Sequence, residues 1–222
     1  MFLEIPDLLS SAEVAQVNAL STQAIFADGR ASNPANDTKQ NLQAKANNSS
    51  TIEAGKILAT AYARSQAFRD FAFPSRIATP RLCRYDVGMK YGAHADAPFM
   101  DIGEPTPLRS DLSSTVFLVP PETYEGGELV IYLGTVPVTV KLKAGFAIVY
   151  PSTAVHEVRP VTAGMRLVGI AFIESIIRDE FKRTQLYELN EIAALEGLKM
   201  DRNNRIRFEA VRANLTRLWS GE

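Results

Sequence analysis

Histidine occurs only twice in this 222-residue chain, and each copy lies where a mononuclear metal site would need it. His94 stands in Tyr91-Gly92-Ala93-His94-Ala95-Asp96, and His156 follows Tyr150-Pro151-Ser152-Thr153-Ala154-Val155. Two imidazoles and one carboxylate on a single face suit divalent iron and leave three coordination positions open. A 2-oxo acid can chelate through two of these positions, and dioxygen can take the third. The chemistry would then be oxygen activation at Fe(II). Arg166 adds a planar guanidinium that can hold a distal carboxylate through two parallel hydrogen bonds.

These residues need particular backbone to meet. His94 and Asp96 are i and i+2, so on a strand both side chains leave the same face. His156 must come from a second strand facing the same interior. A loop over 160–163 (Pro-Val-Thr-Ala) would join the strands bearing His156 and Arg166, and opposed residues of an antiparallel pair share a face. Tyr85 falls on the preceding strand and could donate its hydroxyl to a co-substrate or close the pocket.

The elements follow from patterning. Residues 1–76 read as mainly helical. Ser10-Ser11-Ala12-Glu13 is one capping box, with Val14, Val17, Ser21 and Ala24 on one face behind it. Ser50-Thr51-Ile52-Glu53 is a second, opening a single long segment with Ile57, Leu58, Ala61, Phe68 and Phe71 at helical spacing. Between them, 28–50 is rich in Asn, Asp, Ser and Gly and reads as loop. From 77 to 177, short runs rich in Val, Ile, Leu, Tyr and Phe alternate with turn residues, the pattern of a sandwich or barrel. The runs are 80–87, 114–119, 128–133, 136–142, 146–150, 154–159 and 166–174. Residues 97–110 form a long loop directly after His94 and Asp96. Gly126-Gly127 reads as a turn device, not a phosphate loop, because no strand-to-helix context surrounds it. Helical spacing returns from Ile176, with Gly197 closing one helix. Phe208, Val211, Leu215, Leu218 and Trp219 stripe a last helix, expected to dock on the barrel or on a second subunit.

Composition bounds the setting. Hydrophobic residues make up 46% and charged residues 22%, which suits a globular protein with a substantial core. The net charge of −1 gives no global field for nucleic acid or membrane, and the basic residues of 198–219 read as a solvated helix face. Nucleic acid is therefore not an expected partner. The single cysteine, Cys83, excludes an internal disulfide and reads as a small buried hydrophobe. Met1–Asp7 lacks the basic and apolar regions of a signal peptide, and no apolar run reaches 18 residues. A cytoplasmic location is expected.

Several strings carry a family resemblance. The run from Arg84 to Asp96 resembles the core of bacterial PKHD-type hydroxylases, relatives of prolyl 4-hydroxylase. Asp111–Leu118, Tyr124–Leu129, Tyr150-Pro151-Ser152 leading to His156, and Arg159–Thr162 agree with it in order. Leu3–Pro6 and Ile176–Asp179 extend the likeness over most of residues 1–195. The resemblance implies an α+β chain with a double-stranded β-helix (jelly-roll) core. That core would occupy 77–177, with helical support in 1–76 and C-terminal helices in 178–222. It implies Fe(II), 2-oxoglutarate and O2, with L-ascorbate as an accessory. His94, Asp96 and His156 match the family's iron ligands, and Arg166 matches its 2-oxoglutarate anchor. An intact Asp96 favours hydroxylation over halogenation, because related halogenases carry a small residue there. The chain departs from the family pattern in the 97–110 loop and beyond about 195, so the substrate stays open among amino acid, prolyl or lysyl peptide and small metabolite. Two other readings remain: a sensor that binds iron and 2-oxoglutarate without coupled hydroxylation, and a cupin-like metalloenzyme such as an isomerase, which would not need Arg166.

Overall fold

The computed structural model describes residues 1–33 and 36–221. Pro34 and Ala35, inside the segment read as loop, and Glu222, at the end of the C-terminal helices, lie outside the described residues. The chain begins with β1 (Leu3–Ile5), α1 (Ser11–Gln23), β2 (Phe26–Asp28), β3 (Lys39–Gln40), β4 (Leu42–Ala44), α2 (Ser49–Arg64) and α3 (Gln66–Ala72). The central strands are β5 (Pro74–Ile77), β6 (Arg81–Tyr85), β7 (Lys90–His94), β8 (Phe99–Met100), β9 (Leu108–Arg109), β10 (Leu112–Phe117), β11 (Tyr124–Gly126) and β12 (Leu129–Leu133). There follow β13 (Val136–Val140), β14 (Ala147–Pro151), β15 (His156–Val158), β16 (Val161–Gly164), β17 (Arg166–Ser175), α4 (Glu180–Glu196) and α5 (Arg202–Trp219).

Two antiparallel sheets face each other, as in a jelly roll. The major sheet runs β1-β14-β10-β17-β6-β4-β2, with β5 also on β17, and the minor sheet runs β13-β12-β15-β7-β3. Alternation along the major-sheet strands assigns each residue to one face. Leu167, Ala171 and Ile173 of β17, with Leu82, Leu112 and Val149, pack against Leu58, Ala61 and Phe68 of the helices. Val168, with Cys83, Tyr85, Phe117, Ile148 and Tyr150, points inward between the sheets. Because helices cover the outer face, β14 is buried along its whole length and reads as a continuous apolar run. Gly169 lies directly beneath Leu58, where an added Cβ would sit 2.9 Å from Leu58 Cδ1, so the α2–β17 contact depends on a glycine. Cys83 is buried between the sheets, as expected.

Some local expectations need correction. The Ser10–Glu13 capping box forms in full. The second one does not: the N-cap of α2 is Asn48, whose side chain accepts from the Thr51 amide at 3.2 Å. Asn is as good a cap as Ser, and it starts the helix ahead of Ser50. The long segment also divides, because Ser65 ends α2 and caps α3 by accepting from the Phe68 amide. The 97–110 loop contains the β8–β9 hairpin, which pairs Phe99 with Arg109. Residues 161–164 form β16, paired with β11 across the positive-φ glycines 126 and 127. The main packing partner of α5 is α4, and no α5 residue is fully buried. Among the described residues, no helix is long and apolar enough to cross a membrane.

The largest correction concerns 28–50. Instead of a plain loop, it forms a strap between the sheets. Lys39 and Gln40 pair with β7 of the minor sheet, and Leu42 and Gln43 pair with β6 of the major sheet two residues later. A strand that changes sheets closes the side of the sandwich, and Asn41 sits at the crossing point.

Candidate metal centre and co-substrate pocket

His94 and His156 stand directly opposite each other on the β7–β15 pair, with ring centroids 4.3 Å apart. Each imidazole is oriented by its own strand. Nδ1 of His94 lies 2.8 Å from the Gly92 carbonyl, and Nδ1 of His156 lies 3.0 Å from the Ala154 carbonyl. A carbonyl only accepts, so each Nδ1 carries a proton, and the neutral tautomer that this selects has its lone pair on Nε2. Asp96, two residues beyond the end of β7, turns its carboxylate toward them, at 3.8 Å from His94 Nε2 and 3.6 Å from His156 Nε2. Burial, and then the neighbouring His156, push the pKa of His94 down to about 4. A neutral His94 near pH 7 makes its contact with Asp96 a pair of donors facing one point, not an ion pair.

The donor atoms of these three residues all lie within 4.8 Å of one another, so they can hold a metal ion. Bonds of roughly 2.1 Å would place adjacent donors about 3 Å apart, a small contraction from the observed separations. The tyrosines around the cluster limit ring movement: Tyr91 stacks on His94 at 3.5 Å, and Tyr150 meets His156 edge-on at 5.1 Å.

Sequence reasoning missed the support beneath Asp96. Ser113 Oγ donates to Asp96 Oδ2 at 2.5 Å and lies 2.7 Å from Ser152 Oγ, which accepts from Ser110 Oγ at 2.8 Å. All three serines are buried. The signal was available in Leu112-Ser113-Ser114-Thr115, where hydroxyls occupy a strand buried on both faces.

Arg166 and Tyr85 are cross-strand partners on β17 and β6, not on a strand pair with His156. His156 belongs to the minor sheet, so Arg166 faces it across the sandwich. The β16 excursion makes the chain change sheets between the two residues. Arg166 is only 1% exposed, its Nε has no hydrogen-bond partner, and no acidic side chain among the described residues pairs with it. Its guanidinium lies 4.9 Å from the Tyr85 ring centroid and 5.6 Å from that of Phe117. The Tyr85 hydroxyl accepts from Asn41 Nδ2 at 3.0 Å and keeps its own hydrogen to donate. Burial raises the Tyr85 phenol well above its ordinary pKa, so it stays a donor. A cavity of about 520 Å3 joins all five expected residues with Lys39, Asn41 and Gln43 of the strap. These three alternate in sequence, so one face of the strap lines the site.

The family model of the 2OG-Fe(II) oxygenase superfamily matches residues 80–174, which span the ligand cluster and Arg166. A PKHD-type hydroxylase of Sphingopyxis alaskensis is 43% identical over 97% of this chain and 98% of its own length. The chain belongs to the PKHD-type hydroxylases. Another member, from Paracoccus denitrificans, is 40% identical over 86% of this chain and 85% of its own length. Solved structures agree on the fold. A Pseudomonas putida prolyl-4-hydroxylase superimposes with a TM-score of 0.57 at 16% identity, covering 78% of this chain and 92% of that one. A Trichoplax adhaerens prolyl hydroxylase, in complex with a hypoxia inducible factor peptide fragment, gives 0.58 at 18%, covering 83% and 86%. This PKHD-type hydroxylase is thus an enzyme of the 2OG-Fe(II) oxygenase class, with a double-stranded β-helix core. The class implies Fe(II), 2-oxoglutarate and O2.

Proposed function

We propose that the enzyme hydroxylates an unactivated carbon of an amino-acid, peptidyl or small-metabolite substrate, with His94, Asp96 and His156 as iron ligands and Arg166 as 2-oxoglutarate anchor. The observation that carries this reading is the pairing of a neutral-imidazole and carboxylate cluster with a buried guanidinium that lacks an anion, in one cavity. A buried charge without a partner is costly, and a ligand carboxylate would relieve that cost. Bound there, Fe(II), 2-oxoglutarate and O2 supply the oxidising power, with one oxygen atom going to succinate, one to the substrate carbon, and CO2 released.

The chain's residues have separate tasks in this reading. The Gly92 and Ala154 carbonyls hold the imidazoles in their ligating tautomer. Ser113 holds Asp96. Arg166 grips the distal carboxylate of 2-oxoglutarate, and Tyr85 donates its hydroxyl to the same co-substrate. The surrounding β-sandwich excludes bulk water. Residues 77–177 carry the catalytic core, the helices of 1–76 brace its outer face while the strap within 1–76 lines the cavity, and α4 and α5 add a helical appendage. A peptide remains among the substrate classes, as in the Trichoplax relative. We carry as further proposals a cytoplasmic location, ascorbate as accessory reductant, and homodimer formation through the C-terminal helices. The dimer reading draws on Ile206, Val211 and Leu218, each more than half exposed on α5, and sedimentation velocity tests it.

The test is succinate release after anaerobic reconstitution with Fe(II) and 2-oxoglutarate followed by exposure to air. Wild type should release succinate slowly, and His94→Ala should release none. Binding of 2-oxoglutarate without O2-dependent succinate, under every substrate offered, would favour the sensor reading. Succinate-independent activity retained in Arg166→Ala would favour an isomerase.

A further inference from the structure

Lys39 is 5% exposed and lines the cavity from the strap. Its Nζ donates to Ser32 Oγ at 2.6 Å and lies 5.1 Å from the Tyr91 ring centroid. That ring stacks directly on His94, so the ammonium sits beyond the tyrosine that covers a metal-binding imidazole. No carboxylate among the described residues forms an ion pair with it. Asp96 and Asp28 act on it only at longer range, and burial lowers its pKa from the ordinary lysine value. A buried ammonium bonded to one neutral hydroxyl is an expensive arrangement, rarely found without a counter-ion.

Charge balance indicates what is missing. In the proposed function, on which this inference rests, a divalent ion and Arg166 together neutralise Asp96 and doubly negative 2-oxoglutarate. Among the described residues that line this cavity, Lys39 is the buried charge left over. Arg81 and Asp101, exposed at the cavity mouth, oppose each other in sign. A neighbouring donor is also ready: the Tyr91 hydroxyl accepts from Asn33 Nδ2 at 3.0 Å and retains its own hydrogen. One positive charge with neutral donors beside it matches a singly charged carboxylate better than a phosphate dianion.

We propose that Lys39, with the Tyr91 hydroxyl, binds a carboxylate of the primary substrate and thereby selects carboxylate-bearing substrates. Arg166 would serve the co-substrate from the major sheet, and Lys39 the substrate from the strap. A chain terminus or free amino acid and an acidic side chain present the same group, and the probes below distinguish them.

The experiment is calorimetric titration of the anaerobic Fe(II)–2-oxoglutarate complex with N-acetylglycine, N-acetylaspartate α-amide and neutral N-acetylglycinamide. The first two separate a terminal from a side-chain carboxylate, and saturable binding of either supports the proposal if the neutral amide binds at least about tenfold more weakly. Lys39→Met should weaken the carboxylate probe at least about tenfold while changing 2-oxoglutarate affinity less than about twofold. Because it removes an uncompensated buried charge, the variant should melt at the same temperature or about 2 °C higher. A structural lysine would not give that result. Equal binding of acid and amide, no binding of either acid, a loss of 2-oxoglutarate affinity comparable to the carboxylate loss, or a clear fall in melting temperature would each overturn the assignment. Failure of the hydroxylase reading shows separately, as absence of succinate release from wild type. Titration of the metal-free chain with the same probes then reads the Lys39 site by itself.

Discussion

The ligand cluster and the strap line the same cavity but are stabilised in opposite ways. At the cluster, every polar atom that must be fixed has a protein partner: both Nδ1 atoms meet carbonyls, and Asp96 Oδ2 meets a hydroxyl relay. On the strap, Lys39 has no acid, and Asn41 Oδ1 is buried with no hydrogen-bond partner. Arg166, which faces the strap's Asn41–Tyr85 contact, shares this condition. A satisfied polar cluster is preorganised and keeps its shape without a ligand. An unsatisfied one carries a desolvation cost that a bound ligand can offset. The difference marks where the protein supplies geometry and where it awaits charge.

The comparison is broken most forcefully at Arg166. Arg166→Met should raise the KM for 2-oxoglutarate by about 100-fold, the scale for truncating one partner of a buried charge pair. The melting temperature of the ligand-free variant should not fall, because the guanidinium has no protein anion to lose. A rise in KM below about threefold, measured by initial-rate succinate release, would remove Arg166 from the co-substrate site. Ser113→Ala tests the opposite side with a smaller effect. It leaves both imidazole bonds intact and frees only Asp96, so Fe(II) affinity should fall about tenfold, as for other supports behind metal ligands. Anaerobic Fe(II) titration of the variant reads this directly. Unchanged affinity would mean that the serine relay does not position the carboxylate.

The same contrast explains what the sequence could disclose. His94, Asp96, His156 and Arg166 were legible because rare residue types at fixed spacing are constrained by chemistry. The core strands were legible as short runs rich in Val, Ile, Leu, Tyr and Phe set between turn residues. The strap was not. Its strands have two and three residues, too short to show a period, and its Asn and Ser content matches that of a loop. Its register comes from β6 and β7, partners 40 to 52 residues away, and pairing at that distance leaves no local mark. For the serine relay the sequence held half of the signal: Ser113-Ser114-Thr115 sets hydroxyls on a strand, but nothing local names the carboxylate that Ser113 bonds. The cross-sheet relation of His156 to Arg166 was missed because residues 160–163 looked like a turn, whereas β16 leaves the minor sheet to pair with β11.

The smallest effect tests whether strap and core act as one unit. Asn41 donates to the Tyr85 hydroxyl, and its own Oδ1 packs so closely on Gly29 that a Cβ there would come within 1.9 Å. If this contact orients Tyr85 toward the co-substrate, then Asn41→Ala and Tyr85→Phe should each raise the KM for 2-oxoglutarate a few-fold, about 1 kcal/mol or less. The double variant should be no worse than the poorer single one, because both changes remove the same oriented hydroxyl. The coupling would then be about 0.5–1 kcal/mol. Additive effects would mean that the tyrosine is held by the sandwich alone. In that case the strap would contribute Lys39 to the cavity without orienting the groups around Arg166, and the two sides of the site would be energetically independent.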